Sequence, residues 1–337
     1  ALLPTSDNLT GIDPKELSQR LRSAGKISSV EPHKYEEKEQ GISGAIEEIF
    51  GEGGSLEKSL PGFESRPEQV EMASAVTAAV ENGEHLAVEA GTGVGKSLAY
   101  LLPSVLHAIR TGGKVMISTN TINLQEQLLS KDIPTLVSAL RAENGDQLDE
   151  FRYVLLKGRA NYLCLSRWLQ LRSGESLTSD EARLLSKVLV WLRSTATGDR
   201  SELNLGRRQT AAPWDNLSAQ GAQECIGLDG VCFHRAARDR AAASHLVIVN
   251  HALLMSDLLA GRALIPDYDI LIVDEAHHLE EEATRHMGFE LGQGRFDDHL
   301  QMLGGDRGLL GRVATAFRVA SVADTRRETA LDAAARI

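Results

Sequence analysis

No stretch of this 337-residue chain approaches the roughly 18 consecutive apolar residues that a membrane-spanning helix needs, so no membrane association is expected. Its first residues lack the charged, apolar and small-residue succession of a secretory signal. The chain opens at Ala1 rather than at a methionine, as a fragment or a processed product would. The cytoplasm is therefore the expected location. Cysteine is scarce, with three residues, and in that compartment a structural disulfide is not expected. Positive charge is also in deficit, since the formal net charge is -11. That balance argues against a uniformly basic nucleic-acid binder. No internal repeat or low-complexity tract stands out.

What is there is an ordinary globular composition, 42% hydrophobic and 25% charged, in a chain long enough for two or three domains. The average charge hides an asymmetry. Residues 151–240 hold 14 Lys and Arg against 9 Asp and Glu, a net of +5, which leaves -16 for the remainder. A basic segment in an acidic body fits a local phosphate-binding surface, and a solvated helical face fits the charge equally well.

Residues 1–60 combine short helical patches such as Pro14–Leu21 with Gly-, Ser- and Glu-rich stretches, and read as a linker or the tail of a preceding domain. From Gly62 the pattern becomes strands alternating with helices. His85–Ala90, Lys114–Thr119, Phe151–Leu156, His245–Asn250 and Asp269–Val273 are the expected strands. Ser97–Ile109, with a kink at Pro103, and Thr121–Leu129 are the expected helices. This alternation predicts an α/β fold with a parallel sheet covered by helices. Residues 160–243 break the rhythm and contain all three cysteines, so they read as an insertion. After Glu282 the pattern is helical again.

Two motifs carry chemistry. Ala90-Gly91-Thr92-Gly93-Val94-Gly95-Lys96-Ser97 has the spacing of a phosphate-binding loop between a strand and a helix. Its glycines let successive backbone N–H groups face phosphates, and the helix that follows adds its N-terminal dipole. Lys96 is expected to reach the β- and γ-phosphates, and the Ser97 hydroxyl to ligate Mg2+. The answering motif is Asp274-Glu275-Ala276-His277 at the end of an apolar strand. There Asp274 can meet the Mg2+, and Glu275 can orient or deprotonate the attacking water. His277 is placed to hydrogen-bond towards a second motor lobe, while His278 reads as a bystander. Together the motifs call for one nucleotide, one Mg2+ and one water, a combination that points to an NTP-driven motor.

Further residues narrow the lineage. Phe63, Arg66 and Gln69 precede the phosphate loop as the adenine-side motif does in superfamily 2 helicases. Ser118-Thr119-Asn120-Thr121 with Leu124-Gln125-Glu126-Gln127-Leu128 resembles motif Ia of those enzymes. Gly158-Arg159-Ala160-Asn161-Tyr162-Leu163-Cys164 and Val249-Asn250-His251-Ala252-Leu253-Leu254 resemble the DinG branch of the XPD-like, DEAH-box, iron–sulfur DNA helicases. The resemblance covers about residues 60–285. It implies a RecA-like first motor lobe over 61–159 and 244–285, an iron–sulfur-type insertion over 160–243, and the truncated start of a helical arch-type domain over 286–337. It implies an ATP-dependent DNA helicase of 5′→3′ polarity, in DNA repair or replication, that binds single-stranded or forked DNA. Thr119, Asn120 and Gln125 would then touch the DNA backbone; as plain sequence, Thr119 or Asn120 fits a helix N-cap. Residues 1–60 resemble the connector that follows an exonuclease in fused members, and no pair of acidic metal ligands stands on a strand there.

The cysteines depart from the family. A [4Fe–4S] cluster is ordinarily held by four thiolates, and here only Cys164, Cys225 and Cys232 are present. Three outcomes compete. Asp229, an external thiol or water completes a labile cluster; His234 completes a Cys₃His zinc site; or no metal binds and the cysteines fill space. Around them, Arg159, Arg167, Arg172, Arg207, Arg208, Arg235 and Arg238 are candidates for phosphate contacts. Trp168, Trp191 and Trp214 read as core more readily than as base-stacking platforms.

No Gln-x-x-Gly-Arg-x-x-Arg-like motif follows Asp274, so the arginines of a second RecA-like lobe are expected from the full-length protein. Two readings follow: part of a complete DNA helicase, or an isolated ATP- and DNA-binding module with little turnover. An RNA-directed DEAH helicase is a third, disfavoured by the cysteine-bearing insert.

Overall fold

The computed structural model describes residues 14–24, 42–51, 53–59, 63–91, 93–144, 148, 150–173, 177–203, 214–221 and 231–287, together with Leu300, Gly304, Leu310, Gly311 and Val313. Two compact units are distinguished, Ala1–Glu282 and Ala283–Ile337. The described part of the second unit is small, and the arch expected over 286–337 lies largely outside the described residues.

A four-stranded sheet organises the first unit. Its strands are β1 (Val115–Thr119), β2 (Tyr153–Leu155), β3 (Leu246–Asn250) and β4 (Ile270–Val273), in the order β2-β3-β1-β4. All three pairings are parallel, with Thr119 opposite Asn250 and Ser118 opposite both Val249 and Val273. The α/β, RecA-like reading of the sequence therefore stands. β1 is buried along its whole length, as a strand covered on both faces must be.

The helices are α1 (Pro14–Ala24), α2 (Ile42–Phe50), α3 (Ser55–Ser59), α4 (Pro67–Asn82), α5 (Lys96–Thr111), α6 (Ile122–Gln127), α7 (Ile133–Asn144), α8 (Leu165–Arg172), α9 (Ser179–Trp191), α10 (Phe233–Ala242), α11 (His251–Leu259) and α12 (Leu279–Met287). α4 starts at Pro67, a first-turn residue whose missing N–H is no loss there. α5 runs through Pro103 as one helix, buries Tyr100, Leu101, Leu102, Val105 and Leu106, and ends at Gly112 in the left-handed conformation. A five-residue π-helical segment, Leu128–Asp132, joins α6 to α7.

Two expectations are corrected. His85–Ala90 has no regular secondary structure and pairs with no described strand, and its apolar Leu86 and Val88 are exposed. A strand exists only through a hydrogen-bonded neighbour, and among the described residues none flanks this segment. The region before Gly62 is also more than a connector. Ile46, Ile49, Phe50 and Leu56 of α2 and α3 share one core with α5 and β1. In α1, Leu17 and Leu21 are buried, and Arg20 donates to the carbonyls of Leu192 and Arg193 just beyond α9.

Candidate functional site

The phosphate loop turns through Gly93 and Gly95, both at φ 86°, where a side chain would be strained. α5 then begins at Lys96. Gln69 is buried on α4 and donates through Nε2 to the Gly95 carbonyl at 2.9 Å. A Cβ on Gly95 would lie 2.2 Å from that same nitrogen. The Arg66 guanidinium donates to the Gly93 carbonyl. Two of the three adenine-side residues thus brace the loop backbone in this structure. The third, Phe63, packs near Phe50 with ring centroids 6.3 Å apart. Ala90, Gly91 and Val94 complete the described loop, and Thr92 lies outside the described residues.

β4 delivers Asp274 to the same place, and three hydrogen bonds fix it. Its N–H donates to the Ser118 carbonyl at 2.9 Å. Oδ1 accepts the Glu275 N–H at 3.0 Å, and Oδ2 accepts the Tyr100 hydroxyl at 3.0 Å. Glu275 is a non-glycine residue at φ 53°, a conformation that costs roughly 1–3 kcal/mol and recurs at functional sites. Its carboxylate lies 3.2 Å from Lys96 Nζ through Oε1 and 3.5 Å from His277 Nδ1 through Oε2. His277 is exposed and its ring lies against that of His278.

Sequence reasoning missed Tyr100 and Asp132. Tyr100 sits one turn beyond Ser97, on the same face of α5. Burial, and then the Asp274 charge, push its phenol well above the ordinary range, so it remains a proton donor. Its hydroxyl also meets the Ser97 side chain. Asp132, at the end of the π-helical segment, accepts from Gln127 Nε2 at 3.1 Å and reaches Ser97 as well. Burial raises its carboxyl above the usual range. The Tyr100 hydroxyl bonded to Asp274 thus lies near Ser97, and the hard oxygen donors of Ser97 and Asp274 fit a magnesium ion. The N–H-lined glycine turn and Lys96 fit a triphosphate.

At the motif Ia end, Thr119 and Gln125 are buried, at 0% and 3% exposure, and only Asn120 is partly accessible. The N-cap of α6 is Thr121, not Thr119 or Asn120; its hydroxyl accepts the Leu124 N–H at 3.3 Å. An N-cap must precede the first helical residue, and Ile122 is that residue.

In the segment expected to be an insertion, Cys164 and Cys232 occupy the N-cap positions of α8 and α10. Two contacts bring these helix starts together. Tyr162 meets His234 edge-on with centroids 5.6 Å apart, and Gly198, which accepts the Leu163 N–H, lies under the Phe233 ring. Burial, aided by Arg159 and Arg238, lowers His234 to about 4, so the ring is neutral near pH 7. Among the described residues, no three His, Cys, Asp or Glu gather as a metal site. Cys225 and Asp229 lie outside the described residues, so the described residues alone do not make a cluster or zinc ligand set. Trp168, Trp191 and Trp214 are buried. Trp191 donates to Glu202 and Trp214 to the Ala160 carbonyl, which makes them core rather than stacking platforms. Of the candidate arginines, Arg167 is engaged with the carbonyls of Asp215 and Ser218, Arg172 lies over Trp168, and Arg238 donates to the Ala263 carbonyl. Arg159 and Arg235 are exposed, and Arg207 and Arg208 lie outside the described residues.

Comparison with known proteins agrees with this geometry. Residues 67–144 match the DEAD/DEAH box helicase family. The chain is 38% identical over 257 residues to an ATP-dependent DNA helicase YoaA of Haemophilus influenzae, covering 73% of this chain and 38% of that protein. It is 38% identical over 252 residues to an ATP-dependent helicase DinG of Mycobacterium tuberculosis, covering 69% of this chain and 37% of the relative. A Bacillus subtilis protein named 3′-5′ exonuclease DinG is 33% identical over 277 residues, with 78% of this chain and 28% of the relative covered. The chain thus spans between 28% and 38% of the length of these relatives. No described helix is long and apolar enough to cross a membrane.

Proposed function

We propose that this chain, which carries a DEAD/DEAH box helicase domain and is similar to the DinG-like helicases over most of its length, is the ATP-binding motor lobe of an ATP-dependent DNA helicase. The observation that carries the proposal is the convergence of Lys96, Ser97, Tyr100, Asp274 and Glu275, from two distant segments, on the open end of one parallel sheet. Ligands of open α/β sheets sit at that end.

The residues divide the work by position. Gly93 and Gly95 present backbone N–H groups to phosphate, with Arg66 and Gln69 holding the turn from behind. Lys96 exchanges the Glu275 carboxylate for the terminal phosphates. Ser97 and Asp274 would hold magnesium, which supplies neutralising charge to the phosphates. Tyr100 keeps the Asp274 carboxylate turned towards Ser97. Glu275, once released from Lys96, accepts a proton from the attacking water. His277 faces outward, where the second RecA-like lobe would contribute its arginines.

The finer parts of the proposal rest on the family resemblance. They are translocation with 5′→3′ polarity, contact of single-stranded or forked DNA with the partly accessible Asn120 beside the buried Thr119 and Gln125, the arch over 286–337, an exonuclease ahead of residues 1–60, and a role in repair or replication in the cytoplasm. The insertion over 160–243 is proposed as a labile iron–sulfur site using Cys164, Cys225 and Cys232. The juxtaposed starts of α8 and α10 support it. Iron and sulfide analysis of anaerobically purified protein tests it, and protein without iron excludes it.

The second reading, an ATP- and DNA-binding module with little turnover, is favoured by the Lys96–Glu275 ion pair, which occupies both catalytic side chains. Phosphate release by the 337-residue chain separates the two. Substantial DNA-stimulated release excludes the module reading, and binding without release excludes self-sufficient catalysis.

A further inference from the structure

His251 is fully buried at the start of α11, directly after β3, and none of the nucleotide chemistry above uses it. Its Nδ1 lies 2.7 Å from the Ser118 hydroxyl on β1. Its Nε2 is buried without a partner in hydrogen-bonding geometry, which is uncommon for a polar atom in a native interior. Burial lowers its pKa, while the backbone of Glu275 and Asp274, which faces the ring, pulls it the other way. With the serine hydroxyl donating to Nδ1, a neutral ring carries its proton on Nε2, on the side of that backbone.

Ser118 is a junction. Its carbonyl holds the Asp274 N–H at 2.9 Å, while its hydroxyl holds His251. The next residue, Thr119, pairs with Asn250, and two residues later Thr121 caps α6, the motif Ia helix. Glu275 meanwhile sits in the left-handed region, a strained conformation that the loop can relax once its carboxylate leaves Lys96. A carbonyl of Asp274 or Glu275 that turns inward finds the Nε2 proton waiting.

We propose that His251 is a positioning residue that couples the DEAH loop to the motif Ia end of β1. In one state of the loop Nε2 is unpaired; in the other it donates to the loop backbone and, through Ser118, draws on the end of β1. Single-stranded DNA on the motif Ia surface and nucleotide in the phosphate loop would then bias the same two-state element. The inference rests on the helicase reading above.

The test is the affinity of the protein for a fluorescent ATP analogue with magnesium, with and without a single-stranded oligothymidylate. In the unsubstituted protein the oligonucleotide changes the nucleotide Kd by a factor within about 5–150. His251→Ala and Ser118→Ala each bring that factor to within about twofold of one, and the double variant goes no further, because both remove one shared link. Affinity for nucleotide alone stays within about threefold of the unsubstituted protein. His251→Gln, which keeps an N–H donor, restores part of the factor. Ser118→Ala deletes one oxygen and keeps the inference testable if His251→Ala does not fold. A folded Ser118→Ala protein with an unchanged factor overturns the proposal. So does equal loss of nucleotide affinity with and without DNA, which marks a packing role alone. An unsubstituted protein that binds the oligonucleotide but shows no coupling also overturns it; one that binds no oligonucleotide removes the helicase reading itself.

Discussion

Lys96 Nζ stands 3.2 Å from Glu275 Oε1, so the two charges proposed to flank a γ-phosphate are paired with each other in this structure. Both side chains keep about 30% of their surface exposed. A nucleotide can therefore compete for Lys96 without a large desolvation cost. On the proposed reading the pair is a resting arrangement of the site that nucleotide entry would open.

The first prediction follows from that competition. Lys96→Ala abolishes binding of magnesium-ATP. Glu275→Gln binds it at least as tightly as the unsubstituted protein, because the rival for Lys96 has lost its charge, yet hydrolysis falls about 10²–10⁴-fold with the general base. Nucleotide titration beside phosphate release separates the two effects. Unchanged affinity in Lys96→Ala would mean that the loop assignment is wrong.

Tyr100→Phe removes only the hydroxyl that holds Asp274 Oδ2. Supporting hydrogen bonds to a metal ligand are worth about 10–100-fold in metal affinity. The magnesium concentration for half-maximal nucleotide binding should rise towards that range, with binding restored at high magnesium. A curve that overlays the unsubstituted protein would remove Tyr100 from the site.

Gly95→Ala attacks the loop differently. Its φ of 86° disfavours a side chain, and the new Cβ would meet Gln69 Nε2 at 2.2 Å. Strain of this kind is worth roughly 1–3 kcal/mol, so nucleotide affinity should fall by about 5–150-fold. Gln69→Ala, which loses the bond to the Gly95 carbonyl but clears the space, should fall less and should partly rescue Gly95→Ala. Additive losses in the double variant would contradict the contact.

These residues also show how far the sequence reaches. Gly93, Gly95, Lys96 and Ser97 were legible because their chemistry depends on spacing within a few positions, and Asp274 and Glu275 because an apolar strand precedes them. The four paired strands were legible as apolar runs. Tyr100, Asp132 and His251 were not, since each acquires its partner only when segments far apart in the chain meet on the sheet edge. His85–Ala90 has the alternation of a strand without a neighbour to pair with, and pairing is not a local property. Thr119 and Gln125 carry the residue types of a DNA contact, yet both are buried, and burial belongs to packing.

Acid should destabilise the fold through its histidines. Burial is the leading cause that lowers His107, His234, His245 and His251, with His234 reaching about 4. Below the ordinary imidazole value near 6.5, the unfolded chain takes up protons that these folded sites refuse. Stability present above that value is lost as pH falls towards the folded values. Asp132, raised by burial, works in the opposite sense lower in the range. His245 makes the test specific, because its Nδ1 accepts the Arg152 N–H at 3.1 Å and a proton there breaks the bond. Tm should fall between about pH 7 and pH 5, and His245→Gln should show a shallower fall. A Tm that rises on acidification would contradict this assignment.

The central claim is that the phosphate loop and the DEAH box form one half of a DNA-driven ATP site. Its most direct test is phosphate release by a polypeptide joining this chain to its second motor lobe, measured with single-stranded DNA, with RNA and with neither. The account predicts strong stimulation by DNA, little by RNA, and none in the Lys96→Ala variant. Turnover indifferent to DNA, or turnover that survives Lys96→Ala, would contradict it.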